Sequence, residues 1–251
     1  MAGREVAAAL ADLVLPRTCA GCGLPGSVLC RRCAELLARP TLAQPRRFPD
    51  GFPPTVAAGA YDGPVRPAVV AFKERGRAEL ARPLGTALAL AVTAVVAGLP
   101  ERPDGVLLVP VPSSAAALRA RGRDHVRELT AVAVGELCAA GLPAAERRLL
   151  RRRGRVQDSA GLSAGQRRAN LAGTFLPHPR PGPLGNRPLV LVDDVVTSGA
   201  TLTEAAAVLG ARAGPSAPPV LAAVVAATPR EPARTAMRND PDQLSGRRRS
   251  D

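Results

Sequence analysis

At 251 residues the chain is long enough for one good-sized domain and a small one, with a real core to bury. One Tyr, four Phe and no Trp leave Ala, Val and Leu to build that core, and make stacking platforms for single-stranded nucleic acid scarce. The net charge of +13, almost all of it carried by arginine, favours polyanionic partners or phosphate-rich ligands.

Residues 1–16 have a charged start and an apolar middle, but Glu5 and Asp12 spoil a signal peptide, so a short amphipathic helix is expected. No stretch approaches the roughly 18 to 20 uninterrupted apolar residues of a membrane span, and the protein reads as cytoplasmic. Cys19, Cys22, Cys30 and Cys33 then form CxxC, seven intervening residues and CxxC. Two such knuckles can bring four thiolates to one Zn²⁺, and Gly21 and Gly23 let the first turn back on itself. Disulfides compete with this reading, but their usual home is a secreted chain and nothing signals export. Four thiolates leave no coordination position open, so the metal is expected to be structural. The fifth cysteine, Cys138, falls in a helical pattern beside Val134, Leu137 and Ala139 and reads as core.

The Pro-rich stretch 39–54 reads as a linker. The chain thus divides into a module at 1–45, a connection at 46–54, a domain at 55–228 and a polar, disordered tail at 229–251. In the domain, 56–61 is expected as a strand, 64–73 as a short helix and 79–97 as a long one, because its Leu and Val recur at helical spacing. Lys73 is the only lysine in an arginine-biased chain, which hints that an ammonium is required there. A buried strand begins at Gly105 and closes as Val109-Pro-Val-Pro-Ser-Ser114, followed by Arg119, Arg121 and Arg123. Hydroxyls and fork-shaped guanidiniums at a strand end suit a diphosphate; the other reading has prolines ending a strand and arginines solvated. A helix over 124–140 follows, with His125 as a surface residue at its start, then a short strand over 148–151. The polar stretch 152–168 reads either as a lid or as a solvated surface helix.

After a strand at 174–176, residues 189–204, LVLVDDVVTSGATLTE, carry the strongest signal. Leu189, Val190, Leu191 and Val192 are too short for a helix and read as a buried parallel strand. Asp193 and Asp194 sit at its carboxyl end, where open α/β sheets bind ligands. Val195 and Val196 lead into Thr197, Ser198, Gly199, Ala200 and Thr201, a loop whose backbone N–H groups and hydroxyls suit a phosphate, with Gly199 allowing close approach. Thr201 and Glu204 have capping-box spacing for the next helix. Two adjacent carboxylates, being acceptor-only groups, suit the vicinal hydroxyls of a ribose. Strand-Asp-Asp-loop-helix arrangements also occur in response regulators and hydrolases. A last strand over 220–227 completes an alternation of strands and helices that implies a mainly parallel sheet with right-handed crossovers.

The Asp-Asp loop resembles the type I phosphoribosyltransferase signature. Together with the four cysteines, Tyr61 with Gly63, Val65 and Arg66, Lys73, VPVPSS, Arg119-x-Arg121-Gly122, and Gln157 with Arg168 and Asn170, it makes residues 15–228 resemble the ComF family, phosphoribosyltransferase-like proteins associated with competence. The resemblance implies an α/β fold with a type I phosphoribosyltransferase-like, mainly parallel sheet flanked by helices, and a small amino-terminal zinc-ribbon module. It further implies binding of phosphoribosyl pyrophosphate (PRPP) with Mg²⁺, with Asp193 and Asp194 as catalytic residues. Val195, Val196, Thr197, Ser198, Gly199, Ala200, Thr201, Ser113, Ser114, Arg121 and Lys73 would complete the PRPP contacts. The activity implied is transfer of the phosphoribosyl group to an unknown acceptor with displacement of pyrophosphate. The alternative is a non-catalytic DNA-uptake or regulatory module that uses the site as a sensor, with single-stranded DNA or competence-machinery proteins as partners. Where the family commonly has Phe-Asn-Gln after Arg121-Gly122, this chain has Arg123-Asp124-His125.

Overall fold

The computed structural model describes residues 17–45, 49–153, 173–180, 186–213 and 219–229. The expected amino-terminal helix at 1–16, the stretch carrying Gln157, Arg168 and Asn170, and the tail from 230 onward lie outside them. In chain order the elements are α1 (Arg31–Glu35), β1 (Thr41–Leu42), β2 (Thr55–Ala60), α2 (Val65–Glu74), a 3-10 turn (Ala78–Leu80) leading into α3 (Ala81–Val96), β3 (Val106–Pro110), α4 (Ala115–Arg121), α5 (His125–Ala139), β4 (Ala144–Glu146), β5 (Leu150–Arg152), β6 (Phe175–Pro177), β7 (Leu189–Val196), α6 (Ala200–Ala213) and β8 (Leu221–Ala227).

Six strands form one sheet in the order β1-β2-β8-β7-β3-β4, parallel throughout except for the edge strand β1, which runs antiparallel to β2. β5 and β6 make a separate antiparallel pair. The central strands are continuous apolar runs because helices or the small hairpin cover both of their faces. On one face Val106, Leu108, Val190, Val192, Ala223 and Val225 pack with α2, α3 and α5. On the other, Leu107, Val109, Leu189, Leu191, Ala222 and Val224 pack with Leu202, Ala205 and Leu209 of α6 and with Leu150 and Phe175 of the hairpin. The protein is therefore an α/β fold with a mostly parallel mixed sheet between two layers.

The helical run Ala78–Val96 is long and apolar enough, by length and composition, to cross a membrane. It lies against the sheet, with Leu84, Leu88 and Val92 fully buried, which is the packing of a core helix. The stretch expected as a linker carries β1 and runs along the domain: the Ala43 N–H donates to the Thr55 carbonyl at 2.8 Å, and Ala43, Pro45 and Pro53 are buried. Cys138, expected in the core, is exposed instead. It lies on the outward side of α5 near its end, and its thiol donates to the Ala144 carbonyl at 3.4 Å.

Candidate functional site

β7 does not stop at Val192. It continues to Val196, so Asp193 and Asp194 lie within the strand, not beyond it. Successive side chains of a strand point to opposite faces, and the two carboxylates are separated accordingly. Asp193 is in register with Val224, whose side chain belongs to the α6 layer. There it lines a cavity of about 30 Å³ with Val195, Val196, Thr197, Ser198, Gly199, Thr201 and Leu202. Thr197 and Ser198 are exposed, and the first-turn amides of α6 beyond them have no acceptor within the helix. Gly199 has φ +76°, and a Cβ there would lie 2.8 Å from the Phe52 ring and 3.2 Å from Pro45. The former linker thus braces this loop from outside.

Asp194 turns the other way, into the layer of α2 and α5, and only 3 % of it is exposed. Its Oδ2 is 2.7 Å from Lys73 Nζ at the end of α2 and 3.2 Å from His125 Nε2 at the start of α5, while its Oδ1 accepts the Val195 N–H at 2.8 Å. His125 is not on the surface as expected; it is 2 % exposed, because α5 starts beneath the carboxyl ends of the strands. Its Nδ1 lies 3.5 Å from Arg121 Nη1. Arginine only donates and a carboxylate only accepts, so the tautomer with its proton on Nε2 satisfies both neighbours. Arg121, in the last turn of α4, is held by Glu74 through Nε at 3.2 Å and Nη2 at 3.1 Å.

These surroundings set the charges. Burial alone would raise Asp194, but the His125 hydrogen bond and the Lys73 ammonium outweigh it and hold that carboxyl well below the usual range. Burial, and then the charge of Asp194, push Asp193 well above it, with only partial relief from the Asp194 N–H at 2.8 Å and from Lys73. Burial would lower Lys73, yet Asp194 more than offsets this and raises it. The two neighbours therefore titrate as one coupled pair whose members are pushed in opposite directions.

The other expected residues fall nearby. Ser114 caps α4, accepting the Ala117 N–H at 3.1 Å, and Ser113 precedes it in the short connection that follows β3, the strand beside β7. Arg123 serves the fold: it pairs with Glu128, donates to the Phe72 carbonyl at 2.9 Å and lies 4.3 Å from the Phe72 ring centre, and Asp124 caps α5 through the Arg127 N–H. The Thr201 and Glu204 capping box does not form. α6 starts at Ala200, so Thr201 already lies inside its first turn, and Glu204 accepts the Thr174 and Phe175 N–H groups instead. Glu74 and Arg152 escaped the sequence reading. The Arg152 guanidinium stands 5.4 Å from the Phe175 ring centre, within the electrostatic reach of Glu204 and Asp193. Only partners from distant segments, invisible in a linear pattern, give these two residues their place. A larger cavity of about 550 Å³, lined by residues 99–104 and 186–188, opens at the opposite, amino-terminal ends of β3 and β7.

The four amino-terminal cysteines also come together. Their sulfurs all lie within 4.8 Å of one another, with Cys22 and Cys30 at 3.6 Å. Zn–S bonds of about 2.3 Å place tetrahedral sulfurs about 3.8 Å apart, so the cluster suits a metal such as zinc. Burial would raise the Cys19 thiol, but backbone N–H groups of Cys30, Cys22 and Gly21 bring it down to about 6, so a first thiolate is ready for a cation. Burial, and then hydrogen bonds with the other three cysteines, push Cys33 up. The module is anchored to the domain: the Leu36 carbonyl sits where a Cβ on Gly59 of β2 would be, Leu37 enters the core, and Arg77 donates to the Thr18 carbonyl at 2.9 Å. No known family model matches the chain, and no curated protein matches it.

Proposed function

We propose that the carboxyl edge of the sheet is a PRPP site of the type I phosphoribosyltransferase kind, in a ComF-like protein. The observation that carries this reading is the shared cavity of Asp193 and the 197–201 loop, with Lys73 and Arg121 across β7. A 5′-phosphate would take the first-turn amides of α6 and the Thr197, Ser198 and Thr201 hydroxyls, with the ribose beside Asp193. The diphosphate would lie toward Ser113, Ser114, Lys73 and Arg121, where two cations offset its charge. Among the described residues this edge offers Mg²⁺ no free pair of carboxylates, since Lys73, His125 and the Val195 N–H take up Asp194. Mg²⁺ therefore belongs to the substrate, bound to the oxygens of PRPP itself. Zinc would hold the four-cysteine module as a closed structural centre, with no part in the reaction.

If the reaction runs, an acceptor nucleophile attacks the anomeric carbon as pyrophosphate leaves, and a carboxylate beside the sugar offsets the developing positive charge. The acceptor is an unknown nucleophile, and the family resemblance with the net charge of +13 supports DNA uptake as the setting. A thermal-shift series checks the binding site. PRPP with Mg²⁺ at 100 times Kd is expected to stabilise the native protein by about 2.7 kcal/mol, and Asp193→Asn at the same PRPP concentration is expected to cut that stabilisation to about half. An unchanged shift in that variant counts against the site. One feature favours a sensor over an enzyme: Glu74 already holds Arg121, the guanidinium expected at the diphosphate. Stoichiometric PRPP binding with no pyrophosphate release would support that second role.

A further inference from the structure

The side chains on the Asp194 face of β7 form a closed circuit. Lys73 and Glu74 are consecutive residues ending α2; Lys73 pairs with Asp194, Glu74 holds Arg121, and His125 joins the two arms. Lys73 keeps 31 % of its side chain exposed and Arg121 18 %, whereas Asp194 keeps 4 %. Three of roughly four acceptor directions on Asp194 are taken, by Lys73, His125 and the Val195 N–H. Asp193, by contrast, opens on the cavity of the phosphate loop.

We propose that the two acidic residues divide the substrate: Asp193 touches the sugar, whereas Asp194 touches none of it and acts as a positioning residue, holding Lys73, and through His125 also Arg121, at the diphosphate end. This rests on the reading of the edge as a PRPP site. The ionisation of the pair agrees with it. An ionised Asp194 keeps the Lys73 ammonium in place, while Asp193 presents its carboxyl oxygens, acceptors for sugar hydroxyls, to the cavity.

Fragments of the substrate separate the two roles. Ribose 5-phosphate, pyrophosphate with Mg²⁺, and PRPP with Mg²⁺ are each titrated calorimetrically into the full chain. Asp193→Asn is expected to weaken ribose 5-phosphate about tenfold, near 1.4 kcal/mol, and to leave pyrophosphate within about threefold. Asp194→Asn, Lys73→Met and His125→Leu are expected to do the reverse, weakening pyrophosphate about tenfold while ribose 5-phosphate stays within about threefold. His125→Gln, whose amide can still donate to Asp194, is expected to recover most of the affinity that His125→Leu loses. Parallel loss of both fragments in Asp194→Asn and His125→Leu overturns the division. Should Asp194→Asn fail to fold, the Lys73 and His125 variants decide it alone by the same ratio. Wild-type protein that binds neither fragment nor PRPP sinks the PRPP reading itself and the division with it, whereas wild-type binding with parallel losses sinks only the division.

Discussion

Asp193 and Asp194 titrate in opposite directions because only Asp194 touches a cation. The signs follow from proton counts in the folded and unfolded chain. Asp194, lowered on folding, contributes stability that is present above its unfolded value of about 3.9 and is lost as pH falls through its folded one. Asp193, raised on folding, contributes most below about 3.9 and loses that contribution as pH rises toward its folded value. Urea unfolding at a series of pH values checks both. Asp193→Asn is expected to be more stable than wild type at pH 7, with the gap closing below about pH 4. Asp194→Asn is expected to cost on the order of 2 to 3 kcal/mol at pH 7, under the range for a fully sealed pair because Lys73 is partly exposed. A destabilised Asp193→Asn would contradict this assignment of charge. The Asp-Asp pair and the single lysine could be read from the chain, but not their separation. His125 meets Asp194 across 69 residues of sequence, and only the folded layers bring them together.

Among the elements, β7, its loop and α6 matter most to the site. Gly199 holds a left-handed turn directly under Phe52, so Gly199→Ala is expected to cost about 1 to 3 kcal/mol and to weaken PRPP binding. Adding Phe52→Ala should relieve the clash but leave a backbone cost of about 1 kcal/mol; full rescue would show that the φ angle carries no strain. The apolar runs of β3, β7 and β8 and the periodic helices α3 and α5 are legible because both faces of each strand, or one face of each helix, are buried. Other elements are not. β1 has two residues and exists only through its pairing with β2, and α4 is a seven-residue helix whose cap at Ser114 looks like a strand-ending loop. The extension of β7 through Asp193 to Val196 depends on the neighbouring β8, since two acidic residues interrupt the apolar pattern.

On the scale of the whole molecule, the cysteine module and the domain are tied by Leu37 in the core, by Leu36 against Gly59 and by Arg77 to Thr18. Loss of the metal should therefore reach α2, which carries Lys73 and Glu74 at its far end. Purified protein is expected to hold about one equivalent of zinc per chain, and a chelator that removes it is expected to lower the melting midpoint. A midpoint unmoved by complete zinc loss would mean that the module is an appendage. The four cysteines could be read as one cluster from their spacing alone; the docking could not, because Gly59 and Leu36 look ordinary until they meet. The strand ends, the 197–201 loop and the cationic circuit all lie at the one edge of the sheet proposed to take PRPP. A calorimetric titration of the wild-type protein with PRPP in Mg²⁺ decides whether that convergence is a binding site. Saturable binding near one equivalent, weakened about tenfold by Asp193→Asn, is the expected result; no saturable binding up to about millimolar PRPP, a binding free energy weaker than about −4.1 kcal/mol, contradicts it.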